Sequence, residues 1–146
     1  MFGELFKRLT APDPVEFSDT DARVALGALL VRLARADGIY DSAEIAQIDA
    51  VLMDRYGVSQ QDAQDLRAKC EIAETEAPDT VRFTKAIKEA VAYEDREAVV
   101  EALWSVALAD GDRDHHEDAL LRMVAPLLGV TDQDSHKARH RIMNRK

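Results

Sequence analysis

Apolar residues recur along most of this chain three or four positions apart, which is the spacing of an α-helix. They cover much of the helix circumference in residues 19–36, and again in residues 96–109 around Trp104. A helix that is apolar on most sides is normally buried, so these two stretches are predicted to be central. Narrower apolar stripes predict further helices over residues 41–56, 59–76, 81–91, a stretch ending at 128, and a stretch beginning at 131. No segment alternates like a strand, so the pattern predicts an all-α fold of about seven to eight helices.

Several single residues within this pattern have predicted places of their own. Trp104 is expected in the core, where its indole N–H needs a hydrogen-bond partner. Cys70 is expected to be a small core filler. Gly38 suits a left-handed turn at the end of the first central helix. Pro126 falls late in its helix and is expected to kink it or end it early.

The segment before the first central helix has its own amphipathic pattern. Phe2, Leu5, Phe6 and Leu9 form one helical stripe, and two prolines within residues 11–14 then interrupt the chain. We therefore predict an amphipathic helix and linker over residues 1–18, followed by a helical domain over residues 19–146. The stripe is expected to pack on that domain or on a partner. Weak membrane-surface association through residues 1–9 is the alternative, with little attraction to anionic lipid from two basic residues.

One short acidic pattern occurs twice, once after each central helix. Each copy begins with Ala-Asp-Gly, at residues 36–38 and 109–111, and a glutamate follows in the next helix. We call residues 37–44 the first acidic turn and residues 110–117 the second. Three acids recur 73 positions later, so that Asp37, Asp41 and Glu44 correspond to Asp110, Asp114 and Glu117. This repetition predicts a domain of two pseudo-symmetric helix-turn-helix halves.

Six carboxylates in two turns point to a hard divalent cation, because Ca²⁺ and Mg²⁺ prefer several oxygen ligands. We therefore predict that these six acids form a metal site. Neither turn is an EF-hand, since the two leading acids of that loop are replaced by Leu33 and Arg35 in the first copy and by Val106 and Leu108 in the second. Each turn alone is at best half a site. If the two halves pack around a pseudo-twofold axis, the two turns would share one surface.

Helix capping is the competing interpretation of the same acids. Asp41 with Glu44, and Asp114 with Glu117, have the spacing of a capping box. Capping does not explain Asp37 and its counterpart, because an acid at the negative end of a helix is unfavourable unless a cation or a donor compensates. Both interpretations stay open at the level of sequence.

Composition limits the kinds of partner and compartment. The chain has 146 residues, a formal charge of -9 and one cysteine. The negative charge argues against nucleic-acid binding, which needs a basic surface. With no internal disulfide, no secretory leader pattern and no long apolar run, we expect a cytoplasmic protein without an integral membrane segment.

Enzymatic interpretations find little support. His115 and His116 follow Asp114 in a phosphoesterase-like triplet, but the first copy has no histidines at these positions. No phosphate-binding glycine loop and no nucleophile elbow occur. We predict no catalytic residue and no organic cofactor. Metal-assisted hydrolysis with His116 or Glu117 as the base ranks last.

The sequence resembles the TerB-like family, named for tellurite resistance proteins, from about residue 22 onward. The resemblance rests on the two Ala-Asp-Gly turns with their glutamates and on residues 83–84, 93–96, 101–107, 127–130 and 137–141. It implies an all-helical domain of two related halves, related to the helical N-terminal domain of certain DnaJ-type co-chaperones. It also implies stress resistance and an acidic face that binds a divalent metal.

Residues and resemblance together lead to one expected function and one alternative. We expect a non-enzymatic protein that binds Ca²⁺, Mg²⁺, Mn²⁺ or Zn²⁺ through both turns and acts in tellurite-type stress resistance or as an adaptor for a protein partner. The alternative is a pure protein-interaction or co-chaperone-like module in which the acids only cap helices.

Overall fold

The helix formed by Asp19–Ala34 lies at the centre of the protein, and the other helices pack around it. The computed structural model describes residues 19–36, 38–77, 79–109 and 115–144, apart from the side chains of residues 19–21 and 115–118. Over these ranges there are seven helices and no strand: α1 (Asp19–Ala34), α2 (Ser42–Tyr56), α3 (Gln60–Glu76), α4 (Val81–Ala90), α5 (Tyr93–Ala107), α6 (His115–Leu127) and α7 (Asp132–Asn144). The predicted all-α fold class is confirmed.

Helix α1 is buried because nearly every side of it is apolar. Between residues 22 and 34, the apolar side chains are all buried, and only Arg23 and Arg32 are partly exposed. The helix packs most extensively on α3 and α4 and also contacts α2, α5 and α6. Its predicted central position is confirmed.

Helix α5 is the second largely buried helix, as predicted. Five of its apolar side chains from Val99 to Val106 are buried, including Trp104, which is 7% exposed. The Trp104 indole N–H donates a hydrogen bond to the Ser135 hydroxyl at 3.2 Å. The indole therefore has the partner that its burial requires, and the bond joins α5 to α7. The helix starts at Tyr93, three residues before the predicted position, because residues 93–95 extend it with an acidic first turn.

Local signals in the sequence set several of the helix ends. The Ser59 hydroxyl accepts the Asp62 N–H at 3.1 Å at the start of α3, and Thr131 accepts the Asp134 N–H at 3.1 Å at the start of α7. Helix α2 ends at Gly57, whose φ is 62°, in the left-handed region that favours glycine. Helix α6 ends at Leu127, one residue after Pro126.

Two further observations concern the predicted arrangement of segments. The predicted amphipathic helix and linker of residues 1–18 lie outside the described residues, so the domain boundary at residue 19 stays a prediction. Among the described helices, none combines the length and the apolar character needed to cross a membrane.

Candidate functional site

The first acidic turn begins where α1 unwinds. The Gly38 N–H donates to the Arg35 carbonyl oxygen at 3.0 Å, and Gly38 has a φ of 82°. Glycine reaches such an angle without steric cost, so the left-handed conformation predicted for Gly38 is confirmed. This turn redirects the chain from α1 into α2.

The capping box predicted at the start of α2 is present. The Asp41 carboxylate accepts the Glu44 N–H at 2.9 Å, and the Glu44 carboxylate accepts the Asp41 N–H at 3.4 Å. Glu44 is only 1% exposed, which is unusual for a glutamate. The capping interpretation is therefore confirmed for this pair. Each bond uses one carboxylate oxygen, and a carboxylate offers about four acceptor sites in all.

Tyr40 holds the first acidic turn against α3, a contact that sequence reasoning missed. Its hydroxyl donates to Glu71 Oε2 at 2.6 Å, and the Arg35 guanidinium carbon lies 4.7 Å from the centre of its ring. Burial, followed by the hydrogen bond to Glu71, raises the pKa of the Tyr40 hydroxyl above its ordinary value. The one available signal was an aromatic residue inside the acidic turn, and the second copy has Arg113 at this position.

Arg67 continues this set of contacts from α3 to α2. Its guanidinium donates to Asp49 Oδ1 at 2.6 Å and to Glu71 Oε2 at 2.9 Å. Burial lowers the pKa of Arg67, but its hydrogen bonds to these two carboxylates outweigh burial and raise the pKa. Asp49 and Glu71 therefore both form ion pairs with Arg67 within the fold.

Arg32 of α1 and Arg35, the residue that follows α1, share one glutamate of α3. Glu74 accepts from Arg35 at 2.7 Å and from Arg32 at 3.1 Å. Arg32 also donates to the carbonyl oxygens of Glu74 and Ala77 at 2.9 and 3.3 Å, where α3 ends. A cation at the C-terminus of a helix satisfies carbonyls that have no partner within the helix.

These bonds form two sets, and the contact of Arg35 with the Tyr40 ring links them into one ion network that connects the first turn, α1, α2 and α3. Its members are Arg32, Arg35, Tyr40, Asp49, Arg67, Glu71 and Glu74. Three acids of the network are thus engaged by arginine, which leaves the acids of the turns as the better candidates for an added cation.

The predicted site residues are described unequally. Asp41 and Glu44 are described and lie together in the capping box. Asp37, Asp110 and Asp114 lie outside the described residues, and Glu117 lies within α6 but its side chain is not described. Among the residues that are described, no group of three or more histidine, cysteine or acidic side chains is placed to hold a metal ion. The six-residue site therefore stays a prediction.

The described helix ends nevertheless show where the second turn begins. The Gln47 side-chain amide donates to the Ser105 hydroxyl at 3.2 Å, which joins the first half of α2 to the last turn of α5. Ala109, the last described residue before the second turn, lines the same groove as Gln47. Glu44 precedes Gln47 by three residues, which is about 4.5 Å along a helix. The end of α5 therefore lies beside the start of α2.

A groove lies between α2 and α5. It has a volume of about 600 Å³ and is open to solvent. Small residues line its α5 side, polar and charged residues line much of its α2 side, and Ile142 of α7 completes the wall. We call it the α2–α5 groove. Its described lining residues include no histidine and no cysteine.

Comparison with known proteins identifies the family. The family model described as tellurite resistance protein TerB matches residues 23–140 of this chain. The chain belongs to the TerB family. The match includes both acidic turns and all seven described helices in whole or in part, so the resemblance expected from the sequence is confirmed.

A solved structure agrees with the fold of this TerB protein. The crystal structure of a protein of unknown function from Porphyromonas gingivalis W83 superimposes with a TM-score of 0.64 at 23% identity, over 89% of this chain and 98% of that chain. At this identity, the likeness shows the fold alone. No curated protein matches the sequence. The relation to DnaJ-type co-chaperones stays a prediction.

Proposed function

We propose that this TerB protein is a non-enzymatic binding module whose two acidic turns hold a divalent cation between them. The observation that carries the proposal is the position of the helix ends, since the hydrogen bond between Gln47 and Ser105 joins the start of α2 to the end of α5. The second turn leaves α5 at this point. Two half-sites that begin next to each other can supply the several oxygen ligands that a hard cation needs, whereas one turn cannot.

The donor chemistry of Asp41 supports this proposal. Its carboxylate uses one oxygen to accept the Glu44 N–H at 2.9 Å, so capping by Asp41 and metal coordination are compatible. The capping bonds of Asp41 and Glu44 also fix both side chains in place before a cation arrives. Fixed ligands lose less conformational entropy on binding.

Asp37 and Asp110 supply a second line of support. Each stands where a helix ends, and the partial negative charge of a helix C-terminus disfavours an acid there. Caps do not need an acid at this position. A shared cation would compensate both acids, and its removal would leave like charges close together.

The cellular role that fits this chemistry is an adaptor in tellurite-type stress resistance, in the cytoplasm. Tellurite itself is an oxyanion, which an acidic surface repels. The bound cation would instead order both turns and shape the adjoining surface for a protein partner.

A second candidate function is a protein-interaction module without a metal. The completed capping box favours it, because Asp41 and Glu44 then have a structural role that needs no cation. The α2–α5 groove would supply the interaction surface in that case.

The deciding experiment is calorimetric titration of chelator-treated protein with Ca²⁺, Mg²⁺, Mn²⁺ and Zn²⁺ in turn. We expect saturable binding of at least one cation, and loss of that binding in the double variant Asp37→Asn/Asp110→Asn. These substitutions remove two charges while nearly preserving side-chain shape.

The matched control removes two charges elsewhere. Glu76 and Glu89 are exposed acids outside both turns, so Glu76→Gln/Glu89→Gln should bind the cation as the unchanged protein does. Equal weakening in both double variants would mean that net charge alone attracts the cation. No binding at millimolar cation would leave the turns as helix caps and favour the interaction module.

A further inference from the structure

The α2–α5 groove has small residues along part of its wall, and Gln47, Asp54, Arg55 and Glu101 line it as well. These small residues are Ala50 on α2, Ala98, Ala102 and Ser105 on α5, and Ala109 just after α5. Protein interiors are otherwise filled to the density of organic crystals. An open volume of about 600 Å³ above such a wall leaves room for several leucine or phenylalanine side chains.

The same chain carries a matching segment outside the described residues. Phe2, Leu5, Phe6 and Leu9 form one helical stripe, and Phe2 and Phe6 are half of the four phenylalanines in the protein. An amphipathic helix needs an apolar surface to cover this stripe, because an isolated helix of this length is marginal in water.

The start of α1 places this segment within reach of the groove. The guanidinium carbon of Arg23, in the second turn of α1, lies 4.6 Å from the centre of the Tyr56 ring. Tyr56 is the neighbour of Arg55, which lines one end of the groove. Residues 10–18 connect the stripe to α1, and nine extended residues span up to about 30 Å.

The dimensions of groove and segment also agree. The α2 wall runs from Gln47 to Arg55, which is about 12 Å at the rise of an α-helix. A helix over residues 2–9 has the same length of about 12 Å. One helix of this size would therefore occupy the groove along its α2 wall.

Charge favours the same pairing. Residues 1–9 have a formal charge of +1, from Glu4, Lys7 and Arg8. Since the whole chain has a charge of -9, the remaining residues carry -10. The groove itself includes the exposed acid Asp54. A weakly basic helix is attracted to such a surface, whereas a second copy of this acidic chain is repelled overall.

We propose that residues 2–9 of this chain pack as an amphipathic helix into the α2–α5 groove and cover it. This proposal does not depend on cation binding by the acidic turns.

A spin label on the segment tests the proposal in the full chain. Gly3→Cys is labelled with a nitroxide, and amide spectra are recorded before and after reduction of the label. Native Cys70 is fully buried, and burial raises its pKa to about 12, so it competes little for the reagent. We expect the amide signals of Ala50, Ala98 and Ala102 to lose most of their intensity. Signals of α4, which contacts neither α2 nor α7 among the described helices, should keep theirs.

Variants of the segment supply the matched control. Phe2→Asp/Phe6→Asp in the labelled chain should restore the groove signals, whereas Glu4→Gln, on the opposite face of the helix, should leave them broadened. All of these substitutions lie outside the described residues. Groove signals that keep their intensity in the labelled chain overturn the proposal.

Two further measurements identify a different occupant or surface. Labelled chain without ¹⁵N is mixed with ¹⁵N-labelled chain that carries no spin label, and groove broadening in this mixture would show docking between two copies. Anionic phospholipid vesicles are added to the labelled chain. Loss of groove broadening together with sedimentation of the protein would assign the segment to a lipid surface. We expect no broadening in the mixture, and broadening that persists with vesicles.

Discussion

At the scale of the residue, Gly27 of α1 decides how closely two helices approach. A Cβ atom at this position would lie 2.2 Å from the Cys70 sulfur and 3.1 Å from the Cys70 Cβ of α3. Glycine in a helix interior costs about 1 kcal/mol relative to alanine. The close packing of α1 on α3 outweighs that cost, because no other side chain fits the space.

Gly27→Ala should therefore destabilise the protein although it raises helix propensity. The clash with the buried Cys70 sulfur forces side chains or backbone to shift, and overpacking of this kind lowers the free energy of unfolding by about 1–3 kcal/mol. Urea denaturation of both proteins measures this difference.

The control is the double variant Gly27→Ala/Cys70→Ala. It removes the sulfur and leaves only the 3.1 Å contact, so it should lose less than the sum of the two single variants. A Gly27→Ala protein as stable as the original would show that α1 and α3 separate without cost.

At the scale of the element, Tyr40 couples the first acidic turn to α3. The hydrogen bond to Glu71 is 2.6 Å long, and Glu71 is in turn held by Arg67 at 2.9 Å. The turn is thus attached to α3 through a side chain, in addition to its covalent links to α1 and α2. Tyr40 therefore limits the motion of the turn that is proposed to bind a cation.

Tyr40→Phe should lower the free energy of unfolding by about 1 kcal/mol. A hydrogen bond to a charged group contributes about 1.5–3 kcal/mol. Solvent screening reduces this contribution because the pair is only half-buried. Burial and the bond to Glu71 raise the pKa of Tyr40 in the fold. Its stabilising contribution is therefore complete below pH of about 10, the ordinary tyrosine pKa, and is lost as the pH rises above it. Urea denaturation on both sides of this pH measures both effects.

Tyr93→Phe serves as the comparison, because the Tyr93 hydroxyl donates to Asp134 on the exposed surface at 3.1 Å. Its effect at neutral pH should be smaller than that of Tyr40→Phe. If Tyr40→Phe leaves the free energy of unfolding unchanged at neutral pH, and leaves its decrease at alkaline pH unchanged as well, Tyr40 does not hold the turn against α3.

At the scale of the whole molecule, a shared cation would connect the two halves of the repeat. The hydrogen bond between Gln47 and Ser105 already joins α2 to α5 near both turns. A ligand that binds only the folded state raises stability by mass action. The proposed site therefore predicts a global change in melting temperature.

Saturating cation should raise the melting temperature by about 5–10 °C. The basis is a gain of about 2.7 kcal/mol at a hundredfold excess over the dissociation constant, with about 2–4 °C per kcal/mol for a chain of this size. Differential scanning calorimetry with the cation identified by titration, and again with chelator, measures the shift. Asp37→Asn/Asp110→Asn should show no shift, and an equal shift in that variant would place the cation elsewhere.

The sequence by itself determined the helices, their caps and the family of this protein. Apolar periodicity, the Asp41 capping box, and the left-handed Gly38 depend on residues within a few positions of each other, which is why local patterns predict them. The repeat of two acidic turns likewise needed only a comparison of the chain with itself.

Only the tertiary structure decided which residues from distant segments meet. Tyr40 and Glu71 are 31 residues apart in the chain, and Gln47 and Ser105 are 58 apart. Periodicity shows which face of a helix is buried but not which neighbour covers it. The ion network, the contact between Gly27 and Cys70, and the α2–α5 groove therefore follow from how the helices pack together.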